Sequence, residues 1–421
     1  MKIAVVDGYS TGRTLVSALR NRGSACIHVQ SSPDMSDYFT RGFHADDYEA
    51  VLGAGEPTEL AAELSRLGVQ RVVAGTESGV ILADTLTHLM GLPGNRYDTI
   101  AARRDKVLMG DTAAAAGVAT PLGGAFADAA EAAEWFASHG LEEGVVKPTS
   151  SAGTDNVRFC RTPADIHSAC DAVLNSANLY GQPNTVALVQ ERVRGVEYYA
   201  NTVSHEGVHR MAELWRYTKR VGSSGYPIYD YEEPVPVASA EAAPLREFVA
   251  ATLDALGVVS GAAHTEVMMT ARGPVLIESG ARLGGGTAPA VVEKFSGTSQ
   301  TSLFADTLID PKRLEEFDDA ATTWSRTVRN VALINPVAGK VSSLDWTERI
   351  EALPTLVTLT HGVTAGEQLA ATTDLINSPG YVYLAAEDPQ DIERDYRALR
   401  DMEEEGLYTG RVRTGSAARH A

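Results

Sequence analysis

Two glutamates and an arginine carry the densest chemistry in this chain. Glu266 lies in His264-Thr265-Glu266-Val267-Met268, and Glu278 closes Val275-Leu276-Ile277-Glu278. His264 to Thr270 and Pro274 to Glu278 read as strands joined by Ala271-Arg272-Gly273. Paired strands can place two such side chains together on one face. Two facing carboxylates repel unless a cation lies between them. Mg²⁺, a hard ion usually shared with substrate phosphates, is the natural one. Two exposed strand glutamates would fit the spacing as well, although the apolar residues before Glu278 argue against simple solvation. Arg282 follows four residues later, ahead of Leu283-Gly284-Gly285-Gly286. Beside a metal carboxylate an arginine can clamp a phosphoryl group or a developing oxyanion; pairing with Glu278 alone is the plainer alternative.

Further upstream, Gly144-Val145-Val146-Lys147-Pro148 is a short strand ending in a lysine, and Thr149-Ser150-Ser151-Ala152-Gly153-Thr154 is a loop of small residues. One fixed charge and several closely approachable backbone N–H groups are what phosphate oxygens need. It is not a P-loop, because G-x-x-x-x-G-K-[ST] is absent. A solvated surface loop gives the same string. The stretch from Val189 to Glu197 runs from a strand through a short connector to an acid, a pattern that can hold an adenine edge and ribose hydroxyls.

Elements must carry these groups. Ile3 to Val6, Ala25 to Val29 and Arg71 to Ala74 read as strands, with helices at Thr14 to Asn21, Ala61 to Leu67 and Leu82 to Met90. This β-α-β alternation predicts a parallel sheet covered by helices. The turn after the first strand lacks a full G-x-G-x-x-G, which gives a dinucleotide site little support. Arg96 to Ala116 and Ala129 to Ser138 are alanine-rich and predict one helix each. Pro163 to Asn175 is a helix with Thr162 or Asp165 near its cap. Trp215-Arg216-Tyr217-Thr218-Lys219-Arg220 reads equally as a basic hairpin or as a place where Lys219 reaches a ligand.

The 421 residues suggest two to four domains, and 44% hydrophobic content is enough to bury a sizeable core. A formal net charge of −19 makes nucleic acid and anionic membranes poor partners. Cys26, Cys160 and Cys170 show no metal-ligand spacing and no paired framework, which predicts buried free thiols in a reducing, cytoplasmic setting. The start is too short an apolar run for a signal peptide, and no run reaches the length of a membrane span.

Taken in chain order, Lys106, Lys147, the Ser/Gly loop, the Glu191–Glu197 connector, Glu266, Glu278 and Arg282 resemble the ATP-grasp superfamily, from about residue 1 to residue 305. Supporting stretches are Gly75-Thr76-Glu77-Ser78-Gly79-Val80, Leu92-Pro93-Gly94-Asn95 and Arg104-Asp105-Lys106. The resemblance implies α/β and α+β content: an ATP-grasp fold with an amino-terminal Rossmann-like domain. The implied parts are residues 1–95 before the grasp, 96–190 as lid and lead-in helix, 191–305 as catalytic subdomain and 306–421 completing that half.

The resemblance also implies roles. Lys106 and Lys147 would contact ATP phosphates, and Ser150, Ser151, Ala152 and Gly153 would close over them. Glu191 and Val193 would present backbone groups to adenine, with Gln190 as a neighbour, and Glu197 would hold the ribose. Outside this set, Lys219 could reach ATP or a substrate carboxylate, a basic hairpin being the equal alternative. Glu266 and Glu278 would hold Mg²⁺, with Mn²⁺ able to substitute. Arg282 would stabilise the transferred phosphoryl group, and His264 could help deprotonate an amine, a core histidine being the other reading. Many members have Glu-x-Asn where this chain has Glu278-Ser279-Gly280. That variant, with His264-Thr265-Glu266, resembles L-amino-acid ligases of the bacilysin-synthetase type. The implied activity joins a carboxylate to an amine through an acyl phosphate, between small molecules such as amino acids. Ligases of this kind are often dimers. A carboxylase or formate-using ligase of the same fold, or a nucleotide-binding module without turnover, are the alternatives.

Overall fold

The computed structural model describes residues 1–35, 40–151, 155–222, 227–374 and 377–411. Its contacts divide the chain into two compact units. One is made chiefly of the chain up to Leu214 with Val235–Thr323, the other of Trp215–Pro234 and the chain from Trp324 on.

The first unit opens with a parallel sheet in the order Ala50–Leu52, Ala25–Val29, Lys2–Val6, Arg71–Ala74. The alternation of the first strand explains why both faces are covered. Ile3 and Val5 pack with Leu15, Val16 and Leu19 of the helix Thr11–Asn21, while Ala4 and Val6 pack with Leu60, Leu64 and Leu86 of the helices Pro57–Arg66 and Val80–Leu89. A strand buried on both sides needs such an unbroken apolar run.

An antiparallel sheet follows, in the order Gly123–Phe126, Ala187–Glu191, Gly144–Pro148, Arg158–Cys160. Helices Ala129–Ser138 and Pro163–Leu174 cover one face, burying Phe136, Ile166 and Val173 against Val146 and Val189. The second helix starts on a full capping box, Thr162 and Asp165 satisfying each other's backbone N–H groups. Val146 faces those helices, so Lys147, one residue on, faces the other way.

The third sheet region of this unit runs Gly273–Gly280, Gly261–Thr270, Val196–His205, Val208–Val221, the last strand passing into the second unit at Trp215. Leu245, Val249 and Leu253 of the helix Ala243–Ala255 pack against it with Val267 and Leu276.

The second unit pairs Pro227–Pro234 with Trp215–Val221 and with Thr327–Ala332, then Gly380–Ala386 and Leu356–His361. Residues 215–220 are thus strand, in an antiparallel pairing that begins Trp215↔Pro234 and shifts register between Thr218 and Lys219. Helix Pro389–Glu404 covers this sheet through Ile392 and Leu399. Among the described residues no helix is long and apolar enough to cross a membrane.

One expectation is corrected. Arg96 to Ala116 is not one helix: a 3₁₀ segment Tyr97–Arg103 ends at Arg104, and the α-helix Lys106–Ala115 starts anew. Asp105 takes extended backbone angles and its carboxylate accepts from Val107 N and Leu108 N, so it caps the new helix. Alanine propensity favours helix throughout, but the cap decides where this one begins.

Candidate active site

The hairpin Gly261–Thr270/Gly273–Gly280 sets Glu266 directly opposite Glu278. Turn geometry alone does not do this. From the turn, pairing steps Thr270↔Gly273, Met269↔Pro274, Met268↔Val275, Val267↔Leu276, which would next put Ile277 across from Glu266. A bulge at this point skips Ile277 and brings Glu278 round to the face of Glu266. One extra residue in a strand re-aims the side chains beyond it, and bulges are common beside active sites for that reason.

Lys106 leads its helix into this face. Its ammonium donates to Glu278 Oε1 at 2.8 Å and to Ser151 O at 2.9 Å, and its backbone N–H donates to Thr149 O. Thus the first residue of the helix ties the small-residue loop to the hairpin. Lys147 is buried nearby. Desolvation, with the neighbouring charge of Lys106, lowers its pKa to about 8, although Glu278, Glu266 and Glu197 pull the other way. Asn178 secures the loop from behind: its Nδ2 donates to Ser150 O at 2.7 Å while its Oδ1 accepts from Tyr180 N and Gln182 N. Ser151 is buried. Ala152 and Gly153 lie outside the described residues.

Arg282 is not paired with Glu278. Its Nε donates to Glu77 Oε2 at 2.8 Å and its Nη1 to Leu283 O. Glu77 follows the strand Arg71–Ala74 and is buried; burial alone would raise its pKa, but Arg282, Arg104 and Lys106 hold it below the usual carboxylate range. The Glu77–Arg282 pair also accounts for Gly280. A Cβ there would stand 2.7 Å from Glu77 Oε2 and 3.4 Å from Arg282 Cζ. Gly280→Asn is therefore expected to displace Glu77 without gaining a metal ligand. Steady-state rates should fall on the order of 10–100-fold while the Mg²⁺ dependence keeps its midpoint; a shifted midpoint would assign the new amide to the metal.

His264 is buried, with Nδ1 2.8 Å from Asn201 Oδ1 and Nε2 3.6 Å from Glu266 Oε1. Asn201 Nδ2 donates to buried Glu213 at 3.0 Å, which fixes the amide so that its oxygen faces the imidazole. In the neutral ring Nδ1 then carries the hydrogen, and the lone pair of Nε2 faces Glu266. Gly284 belongs to the same arrangement: a Cβ at that position would lie 2.5 Å from Asn201 Oδ1.

The connector is pinned at its start. Glu191 N donates to Leu122 O, its carboxylate accepts from Leu122 N at 3.0 Å, and Arg192 N donates to Glu143 O. The Glu143 carboxylate meets Arg161, Arg192 and Arg194. Gln190, Glu191, Val193 and Glu197 are half-buried. Lys219 belongs to the second unit, where its ammonium stands 4.4 Å from the Tyr229 ring centre and 5.7 Å from that of Tyr217.

Among the described residues no group of three or more His, Cys, Asp or Glu side chains could hold a metal ion. Two carboxylates alone suit an ion that keeps water and phosphate oxygens in its shell, as Mg²⁺ does. Glu278 already takes a cation, the Lys106 ammonium.

Sequence reasoning gave Glu77 and Arg104 no role of their own, and it missed Asn178, Asn201 and Glu213. For Glu77 the available signal was an acid just past an apolar strand end. The others carried none, because their partners are remote in sequence.

Residues 142–290 match the family profile of an ATP-grasp domain. Across 420 residues the chain is 30% identical to dapdiamide A synthase of Enterobacter agglomerans, covering 97% of each. Among solved structures it is similar to an L-amino acid ligase from Bacillus licheniformis, with a TM-score of 0.73 and 18% identity over 95% of this chain and 97% of that one. The biotin carboxylase domain of Hydrogenobacter thermophilus 2-oxoglutarate carboxylase, solved with MgADP, superposes with a TM-score of 0.65 at 12% identity, over 97% of this chain and 96% of that one. At those identities the two structures speak for the fold.

Proposed function

Given that the chain belongs to the ATP-grasp family of carboxylate–amine ligases, we propose that it joins two amino acids in an amide bond at the expense of ATP. The observation that carries this is the set of facing carboxylates, Glu266 and Glu278, with Lys106 on Glu278 and buried Lys147 alongside. The dapdiamide A synthase and the L-amino acid ligase to which the chain is similar support amino acids as the substrate class.

In this reading a carboxylate oxygen attacks the γ-phosphorus of ATP, giving an acyl phosphate and ADP. The amine of a second amino acid then attacks the acyl carbon, and phosphate leaves from the tetrahedral intermediate. Lys106 and Lys147 bind the phosphates, with Ser150 and Ser151, and with Ala152 and Gly153 of the same loop. Gln190, Glu191 and Val193 border the adenine, Glu197 the ribose, and Lys219 serves ATP or a substrate carboxylate. Glu266 and Glu278 would hold Mg²⁺, which when bound offsets phosphate charge. Arg282, aimed by Glu77, offsets charge on the transferred phosphoryl group and then on the oxyanion. His264 Nε2, its tautomer set by Asn201, takes a proton from the acceptor's ammonium group, which frees the amine to attack the acyl carbon. The division at residues 95, 190 and 305 goes with this assignment of roles.

A matrix of amino-acid pairs, with ADP and product mass measured in the same reaction, tests the proposal. The expected result is ADP in step with an amide for at least one pair. ADP release driven by bicarbonate or formate instead would move the chain to the carboxylase or formate-using reading. ATP binding with no turnover on any pair would make it a nucleotide-binding module.

A further inference from the structure

Arg103 and Arg104 are adjacent and chemically identical, yet the fold treats them differently. Arg103 is saturated: Nε donates to Asp84, Nη1 to Thr99 Oγ1 and Leu256 O, and Nη2 to Arg96 O. Arg104 is held without such bonds. Its Nη1 lies 3.6 Å from Glu77 Oε1, too far for a hydrogen bond, and its guanidinium carbon stands 4.6 Å from the Tyr180 ring centre. The side chain is only 13% exposed, Nη1 is buried, and no described residue accepts a hydrogen bond from it. A guanidinium is a planar fork of five donors, and a buried donor left unmade is costly. The Tyr180 ring lies against the guanidinium, and the edge of a guanidinium is what a carboxylate uses in a two-bond pairing.

Charge points the same way. Lys106 is matched by Glu278. Glu77 is shared between Arg282 and Arg104, so this trio has one positive charge in surplus. A single additional anion balances it. ATP phosphates are served by the lysines. Of the two amino-acid carboxylates in the proposed reaction, one is consumed and the other stays negative throughout.

We infer that Arg104 anchors the retained α-carboxylate of the acceptor amino acid, an inference that rests on the amino-acid-ligase reading above. That carboxylate is one carbon away from the attacking nitrogen. Fixing it therefore sets the distance of the amine from the acyl phosphate, and it selects α-amino acids over simple amines.

The experiment compares one acceptor in three forms, the free amino acid, its primary amide and the amine lacking the carboxyl group, with wild type, Arg104→Gln and Arg104→Lys. Wild type should prefer the free acid by about tenfold or more in kcat/KM. Arg104→Gln should raise the acceptor KM by about tenfold or more and bring the three forms close together, with the KM values of ATP and of the donor little changed. Arg104→Lys, which keeps the charge but not the fork, should fall between. Equal losses for all three acceptors with selectivity intact, or a rise confined to the donor KM, would overturn the inference. Should Arg104→Gln fail to fold, wild type that uses amide and acid alike overturns it too. Wild type that makes no amide from any amino-acid pair removes the functional reading and this inference together, whereas amide formation with unchanged selectivity in the variants removes the inference alone.

Discussion

Glu278→Gln is expected to abolish most ADP release, by on the order of 10²–10³-fold, whichever amine is supplied. The substitution keeps size and shape and removes one charge, so its effects separate cleanly. A neutral amide is a poor ligand for a hard cation, and Glu266 would be left to hold it without its partner across the hairpin. In the proposed reaction phosphoryl transfer precedes amine attack, so the loss should be the same for good and poor acceptors, and raising Mg²⁺ should recover part of it. There is a second consequence. Lys106 is buried and pairs with Glu278. In the variant it retains Ser151 O and an amide oxygen, and the fold should lose about 1–3 kcal/mol. A melting curve measures that cost independently of turnover. If ADP release continued at the wild-type rate while amide yield fell, Glu278 would be shaping the amine pocket, and the metal assignment would fail.

Lys147→Met should move affinity and stability in opposite directions. ATP affinity should fall about tenfold or more, because the charge-assisted phosphate contact proposed for Lys147 would be lost. Stability without ATP should rise. Burial depresses the folded-state pKa of Lys147 to about 8, below its value in the unfolded chain. The folded chain therefore gives up this proton more readily than the unfolded one. Keeping the lysine charged costs on the order of 3 kcal/mol below about pH 8, and the cost fades as pH rises through 8 towards the unfolded value. Methionine removes the charge and keeps the length. Calorimetric melts of both proteins from pH 6 to 9.5 should show the variant's advantage shrinking over the upper part of that range. In wild type, ATP binding should weaken above pH 8, and binding there should take up close to one proton. A variant less stable than wild type at pH 7 with unaltered ATP affinity would return Lys147 to an ordinary structural lysine.

What was legible in the sequence is whatever has a short period or a local stop signal. The apolar runs at Ile3 to Val6 and Arg71 to Ala74 specify buried parallel strands, because both faces must be dry. Thr162 and Asp165 specify a helix start. The strand Gly144–Pro148 carries Lys147 next to its end with a small-residue loop behind it, and both follow from residue type alone. The hairpin of Glu266 and Glu278 was legible as a hairpin. Its register was not: the bulge at Ile277, which turns Glu278 to the side of Glu266, leaves no mark in the residue pattern. The break before Lys106 was hidden by alanine propensity, although Asp105 supplies the cap that makes it. Least legible were the partners. Glu77 and Arg282 are 205 residues apart, Lys106 and Glu278 172. No periodicity spans such distances, so packing of the sheets alone determines who meets whom. The two adjacent arginines state the limit most plainly. As letters they are the same, and only the tertiary structure gives Arg103 a full set of acceptors and leaves Arg104 Nη1 buried without one, the chain breaking at Arg104 before the helix Lys106–Ala115 begins.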